Sequence, residues 1–217
     1  AFWAISQVVL ATFPAFAKET LGEDNTVIIQ GMLACSGFGI IVGSLLAGQS
    51  SKHHIETGLV PLGALGIVLA LFILPQLDSH TLLVLDFLLL GVCGGMFIVP
   101  LNALIQFHAR DDQLGTVLAG NNWVQNAVML GFLGLTVFFA VYGISDIGLF
   151  HLLTIVALAG ALYTVYQLPQ SLVRYVIARM FSSTYRIKVL GFENLPGTGG
   201  VLMLGNHISW LDWAMIQ

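Results

Sequence analysis

The residues of this chain that are best suited to do chemistry lie close to its C-terminal end. His207 and Asp212 are separated by four residues, and they follow a short apolar stretch, 201–204, that predicts a buried strand. A helix that begins near Ser209 would bring the carboxylate of Asp212 back to the imidazole, where it fixes the tautomer and leaves the other ring nitrogen free to take a proton. This is the base-and-orienter part of a catalytic triad without its serine, so the nucleophile would be a substrate hydroxyl. The spacing alone leaves open an alternative in which Asp212 caps the helix and His207 is structural.

Amide side chains form a second polar feature, and they lie in or beside apolar stretches. Those at 121, 122, 125 and 126 have the i, i+1, i+4, i+5 spacing that predicts one face of a helix. Unpaired amides are costly against lipid tails, so this face is expected to line a polar cavity or to hydrogen-bond with a neighbouring helix. The candidate cavity residues are Asn102, Gln106, Asn121, Asn122, Gln125 and Asn126.

Asp86 is the acidic residue that falls inside an apolar stretch. A carboxylate within a membrane span is a candidate proton or cation site, although a position about one or two turns from the end of the stretch would also let it reach the interface. The histidines His53, His54, His108 and His151 lack metal-ligand spacing, so no metal site is predicted.

The composition indicates a membrane protein. Apolar residues make up 57% of the 217 residues and charged residues 8%, and the mean hydropathy is +0.91. A soluble domain carries about 25% charged residues, so a chain with 8% would expose a large apolar surface in water. The seven basic residues are too few and too scattered for a nucleic-acid interface. Cys35 and Cys93 lie in apolar stretches and are interpreted as small buried hydrophobes.

Six apolar stretches approach the roughly 20 residues that a helix needs to cross the hydrocarbon core. Glycines at 39 and 43, and at 91 and 95, have the four-residue spacing that predicts close packing between such helices. Six basic residues lie in the second and fourth connections or after the sixth stretch, and one, Lys18, lies in the first connection. The positive-inside rule therefore predicts that the even connections and the C-terminal tail are cytoplasmic. The predicted spans are about 1–17, 26–48, 57–75, 81–101, 117–142 and 147–168.

The segment after the sixth span is expected to leave the bilayer. Pro169 ends the span, and the following residues mix Arg174 and Arg179 with apolar side chains. This pattern predicts an amphipathic helix at the membrane interface, with a plain connector helix as the alternative. Beyond it the sequence alternates as a strand does and then turns at glycines, so 185–217 is interpreted as the start of an α/β domain.

The motif Gly191-Phe-Glu-Asn-Leu-Pro196 and the residues after it resemble the start of the PlsC-type glycerolipid acyltransferases. Asn206, His207, Ser209 and Asp212 match the first signature of that family position by position. The resemblance implies that His207 is the general base, held by Asp212. It would deprotonate a hydroxyl of a glycerol phosphate or lysophospholipid, which attacks an acyl thioester on CoA or acyl carrier protein, and no bound cofactor is implied. The later motifs of the family are absent, so this chain alone is expected to be inactive.

The apolar part of the chain is similar to the C-terminal six-span half of major facilitator transporters. The likeness is to the lysophospholipid branch, and it rests on Gly91-Val-Cys-Gly-Gly95, Val99-Pro-Leu-Asn-Ala-Leu-Ile-Gln106 and Gly120-Asn-Asn-Trp-Val-Gln-Asn126. The resemblance implies an all-α polytopic membrane bundle followed by the start of an α/β acyltransferase domain. The domains would be 1–168, the transporter half; 169–184, the amphipathic linker; and 185–217, the truncated acyltransferase start.

Together the two resemblances imply a bifunctional protein of phospholipid salvage in a bacterial inner membrane. Lysophospholipid would be flipped to the cytoplasmic leaflet and re-acylated there, with membrane lipids and acyl carrier protein as candidate partners and no nucleic acid. One alternative is a major facilitator transporter of another small molecule with an inactive soluble appendix. Another is an acyltransferase whose helices serve only as an anchor.

Overall fold

The computed structural model describes residues 2–52 and 54–184, and this part of the chain consists of α-helices joined by short connections. The α/β domain expected at 185–217 lies outside the described residues. The helices are α1 (Phe2–Leu21), α2 (Thr26–Ser50), α3 (Leu59–Ile73) with a 3₁₀ turn (Leu74–Gln76), α4 (His80–His108), α5 (Leu114–Val141), α6 (Asp146–Gln167) and α7 (Pro169–Thr184).

Five of the described helices are long and apolar enough to cross a membrane, namely α2, α3 with its 3₁₀ turn, α4, α5 and α6. The sequence predicts six spans, and α1 falls outside this set because polar residues such as Ser6, Gln7 and Lys18 lower its hydropathy. Its 20 residues still form a helix of about 30 Å, the thickness of a hydrocarbon core. A second difference is that α4 continues to His108, so Gln106 is helical and not part of a connection.

Helix α1 lies in the middle of the bundle and is anchored by aromatic side chains. Phe13 meets Phe87 of α4 edge to face with ring centroids 4.7 Å apart, and Phe16 meets Phe150 of α6 in the same way at 5.3 Å. All four rings are almost completely buried. Edge-to-face pairs add specific geometry to apolar packing. One side of α1 is therefore fixed against α4 and α6, while α5 packs along another side.

The glycine pairs predicted to pack closely do so, and they join α2 to α4. Gly39 and Gly91 lie opposite each other: a methyl group added at either one would lie 2.9 Å from the Cα atom of the other. A methyl at Gly43 would collide with the backbone of Val92, and one at Gly95 with the backbone of α2. Small residues let helix backbones approach to this degree in lipid. The packing interpretation of these glycines is confirmed, and α2–α4 is the most extensive helix pair of the bundle.

At one end of the bundle the first and third connections meet. Gly22, with φ of +65°, turns the chain after α1, and the Asn25 side chain caps α2 by accepting from the Val27 N–H at 3.0 Å. Glu23 contacts the His80 imidazole at 3.1 Å. The Asn25 N–H and this imidazole together lower the pKa of the Glu23 carboxyl below its usual value.

At the other end, α7 docks on the connection between α2 and α3. The buried Glu56 carboxylate lies 3.6 Å from the Arg174 guanidinium, and it also contacts the His54 imidazole and the Gly58 N–H at 3.1 and 3.2 Å. The Thr57 hydroxyl donates to the Ser171 hydroxyl at 2.9 Å. The second connection and α7 thus share one end, as the loop order predicts, whereas which side of the membrane this end faces remains a prediction.

Candidate functional site

A cavity of about 210 Å³ lies between α1, α4 and α5. It combines an aromatic and aliphatic lining with three amide side chains, one on α4 and two on α5. Its main lining residues are Phe2, Trp3, Phe97, Asn102, Asn121 and Gln125. The sequence proposed these three amides as cavity residues, and the fold brings them together from positions up to 23 residues apart (125 minus 102).

The three amides have no hydrogen-bond partner among the described residues. Within residues 2–52 and 54–184, the side chains of Asn102, Asn121 and Gln125 make no hydrogen bond. Had they served as hydrogen-bonding links between helices, each would have a partner on a neighbouring helix. An amide both donates and accepts, and in an apolar site it gains most from a ligand that satisfies both ends. No helix-to-helix hydrogen bond of these three amides is present among the described residues, and their role in a polar cavity wall stays a prediction.

The other amides do not line this cavity. Asn121 and Gln125 are half-buried on the side of α5 that meets α1, whereas Asn122 and Asn126 are exposed on the next side of the helix. Asn126 donates its amide to the carbonyl oxygen of Asn122 at 2.9 Å. The expectation of one shared face is therefore wrong in detail, because successive helical residues differ by about 100° in direction. Gln106 on α4 is likewise exposed and lies outside the cavity lining.

A second recess, of about 150 Å³, lies between α1, α2 and α4 and shares Phe2 and Trp3 with the first cavity. Its polar members are Ser6 and Gln7 of α1 and Ser36 of α2, whose hydroxyl donates to the Leu33 carbonyl oxygen at 2.7 Å. Ser6 and Gln7 were not among the residues predicted to line a cavity. The signal that could have found them is the adjacent polar pair within the apolar stretch 1–17.

Both recesses are uncharged over the residues described. None of their lining side chains is acidic or basic, so a ligand there is held by hydrogen bonds and apolar contact. Asp86 is buried in α4, and its Oδ2 atom has no hydrogen-bond partner among the described residues. It lies 16 residues before Asn102, or about 24 Å along the helix axis. Asp86 is thus not part of the amide cavity, and its role as a proton or cation site stays a prediction.

The predicted catalytic residues lie outside the described part of the chain. Asn206, His207, Ser209 and Asp212 belong to 185–217, so their arrangement stays a prediction. In the described residues, no group of three or more His, Cys, Asp or Glu side chains is placed to hold a metal ion.

Comparison with known proteins identifies the relatives and the family of this chain. The chain is 31% identical over 138 residues to the lysophospholipid transporter LplT of Salmonella arizonae, and 30% identical over 138 residues to that of Escherichia coli O157:H7. Each match covers 62% of this chain and 34% of the relative, so the chain spans about a third of the length of these relatives. No solved structure matches it. The sequence profile of the Major Facilitator Superfamily matches residues 1–132, which is more than half of the chain. This polytopic membrane protein therefore belongs to the Major Facilitator Superfamily.

Proposed function

We propose that the bundle is part of a transporter that moves lysophospholipid across a membrane. The observation that carries the proposal is the uncharged cavity that Asn102, Asn121 and Gln125 line together with aromatic side chains. Such a site suits an amphipathic molecule, since the amides can bind a polar head group while the rings contact its apolar part. The relatives named as lysophospholipid transporters support the same substrate class.

Transport by the full-length protein in proteoliposomes tests this proposal, with a fluorescent lysophosphatidylethanolamine as the substrate. Asn121→Ala and Gln125→Ala each remove one hydrogen-bonding group from the cavity, and each is expected to slow transport by about 2- to 10-fold. Asn122→Ala is the matched control, because it removes an exposed amide from the same turn of α5. Equal rates in all three variants would contradict a role for the cavity. Transport of another small molecule but of no lysolipid would favour the alternative substrate.

The second part of the proposal is that the full-length protein re-acylates the lipid that it transports. It rests on the match of Asn206, His207, Ser209 and Asp212 to the acyltransferase signature. His207 would act as the general base, and the co-substrate would be an acyl thioester of CoA or acyl carrier protein. A fused enzyme would receive its substrate at high effective concentration.

Substitution of the proposed base separates the two activities. His207→Ala is expected to abolish acyl transfer and to leave lysolipid uptake nearly unchanged. If both activities fall together, the two roles are not separable. If the unsubstituted protein transports normally and acylates no lysolipid, the segment after α7 is an inactive appendix.

We also propose a bacterial inner-membrane location with α7 on the cytoplasmic side. The basic residues Lys52 in the second connection and Arg110 in the fourth, with Arg174 and Arg179 on α7, support this orientation through the positive-inside rule. In a variant without Cys35 and Cys93, the substitution Ser183→Cys provides a single labelling site on α7. A membrane-impermeant thiol reagent should label it in inverted vesicles but not in intact cells. The reverse labelling would overturn the orientation.

A further inference from the structure

An apolar cleft of about 220 Å³ lies between α1, α5 and α6, apart from the amide cavity. Its walls include Phe132 and Phe139 of α5 and Leu149 and Leu153 of α6. The one polar side chain in its lining is Thr136, whose hydroxyl donates to the Phe132 carbonyl oxygen at 2.9 Å. The cleft therefore has no side-chain donor to spare for a ligand, and it suits a hydrocarbon.

The cleft continues the side of α5 that carries the cavity amides. Asn121, Gln125, Phe132, Thr136 and Phe139 are all half-buried and follow one another at intervals of three, four or seven residues, which is the spacing of a single helix face. The distance from Gln125 to Phe132 along the axis is about 10 Å, and that from Gln125 to Phe139 is about 21 Å. One side of α5 thus carries hydrogen-bonding amides at one end and borders the apolar cleft at the other. The distance between the two is comparable to the length of an extended acyl chain.

We propose that this cleft binds the acyl chain of a lysophospholipid whose head group lies at the amide cavity. The inference rests on the proposed function and adds a chain-binding site to it. The cleft is small compared with a typical ligand pocket of 300–1,000 Å³, so it suits one chain and not two. Leu135 and Leu152, which line the cleft, are 52% and 39% exposed, so the cleft is open on the outer surface of the described bundle.

Photo-crosslinking of the full-length protein in proteoliposomes tests this placement. The probe is a lysophosphatidylethanolamine with a diazirine midway along its acyl chain, and a diacyl phosphatidylethanolamine with the same group reports ordinary bilayer contact. We expect the lysolipid probe to form adducts at 132–139 and 149–156, and we expect these adducts to decrease when unlabelled lysolipid is added. The diacyl probe should label these segments weakly and without competition.

A substitution at the rim gives a second measurement. Leu152→Trp fills the mouth of the cleft and is expected to raise KM for long-chain lysolipid by about tenfold, with a smaller effect on a short-chain analogue. Leu158→Trp is the control, because Leu158 is similarly exposed on α6 but lies outside the cleft.

The outcomes separate the two proposals. Competed adducts in the cleft, together with a KM effect confined to Leu152→Trp, would support the chain site. Amide-dependent transport with adducts only elsewhere, or with adducts that excess lysolipid does not reduce, would overturn the chain site and leave the proposed function intact. Absence of lysolipid transport and of any competed adduct would overturn both.

Discussion

The contact between α2 and α4 makes a quantitative prediction through two glycines of the same helix. Gly39 faces α4, where an added methyl group would lie 2.9 Å from the Gly91 Cα atom and would meet the Leu88 carbonyl oxygen still more closely. Gly37 is exposed, and a methyl group there has nothing within 4 Å. Gly37→Ala and Gly39→Ala therefore each add one methyl group to α2. At position 37 the methyl group is exposed, and at position 39 it meets the backbone of α4.

The expected free energies follow from these distances. Replacing a helical glycine with alanine stabilises by about 0.5–1 kcal/mol, because the unfolded chain loses backbone freedom. At Gly39 the helices must also separate by at least 0.5 Å (3.4 minus 2.9) before the methyl group is in ordinary contact. Overpacking of this kind costs about 1–3 kcal/mol. The propensity gain is common to both variants, so Gly39→Ala should be about 1–3 kcal/mol less stable than Gly37→Ala.

Unfolding of the full-length protein in mixed micelles, titrated with a denaturing detergent, measures this difference. Adding Gly91→Ala to Gly39→Ala should cost less than Gly91→Ala alone, because the first substitution has already separated the helices. If Gly39→Ala proves as stable as Gly37→Ala, the close approach of α2 and α4 is wrong.

Three further substitutions test other parts of the bundle. Glu56→Gln removes the ion pair with Arg174 and should weaken the docking of α7 by about 1 kcal/mol, a small value because the Arg174 side chain is 43% exposed. A spin label on α7 should then become more mobile. Unchanged mobility would exclude the ion pair as the contact that holds α7. Asp86→Asn should leave the unfolding free energy equal or higher, because the carboxylate has no described partner, and a clear loss of stability would reveal one. The stabilisation from the Glu23 carboxylate should be pH-dependent. The Asn25 N–H and then the His80 imidazole hold its folded pKa below the usual 4.5, so the stabilisation is present above that pH and fades as the pH falls through the folded value. The difference in melting temperature between the unsubstituted protein and Glu23→Gln should therefore vanish in acid, and a difference that persists there would contradict this account.

Hydropathy and glycine spacing predict the helices and the glycine positions at which helices pack closely, but not that α2 pairs with α4. The breaks between apolar stretches coincide with real ends, such as those near Asn25 and Pro169, because polar or helix-ending residues stand there. The four-residue spacing of Gly39 and Gly43 predicted a close contact, since packing in lipid depends on small residues. These features are local in sequence.

The features that were missed depend on which helix stands opposite. The separation of Asn121 from Asn122 is decided by the position of α1, which no local pattern on α5 reveals. Ser6 is a recess residue only because α2 and α4 pass beside it. Glu56 looks like a solvated loop residue, yet α7 covers it from 118 residues away (174 minus 56). Sequence alone therefore predicted the elements better than the surfaces on which they meet.

Among the described residues, α5 packs differently from α2 and α4. None of its residues, all of which the structure describes, is buried, whereas α2 and α4 touch through their backbones. In water, moving such a helix would expose apolar surface at a large cost, but lipid tails are as apolar as the side chains that they would replace. Among the described residues, the contacts of α5 with its neighbours are therefore of a kind that lipid tails could replace. Among the described residues, α2 and α4 thus form a pair in backbone contact and α4 carries Asn102, whereas α5, which carries Asn121 and Gln125, meets its neighbours through partly exposed side chains.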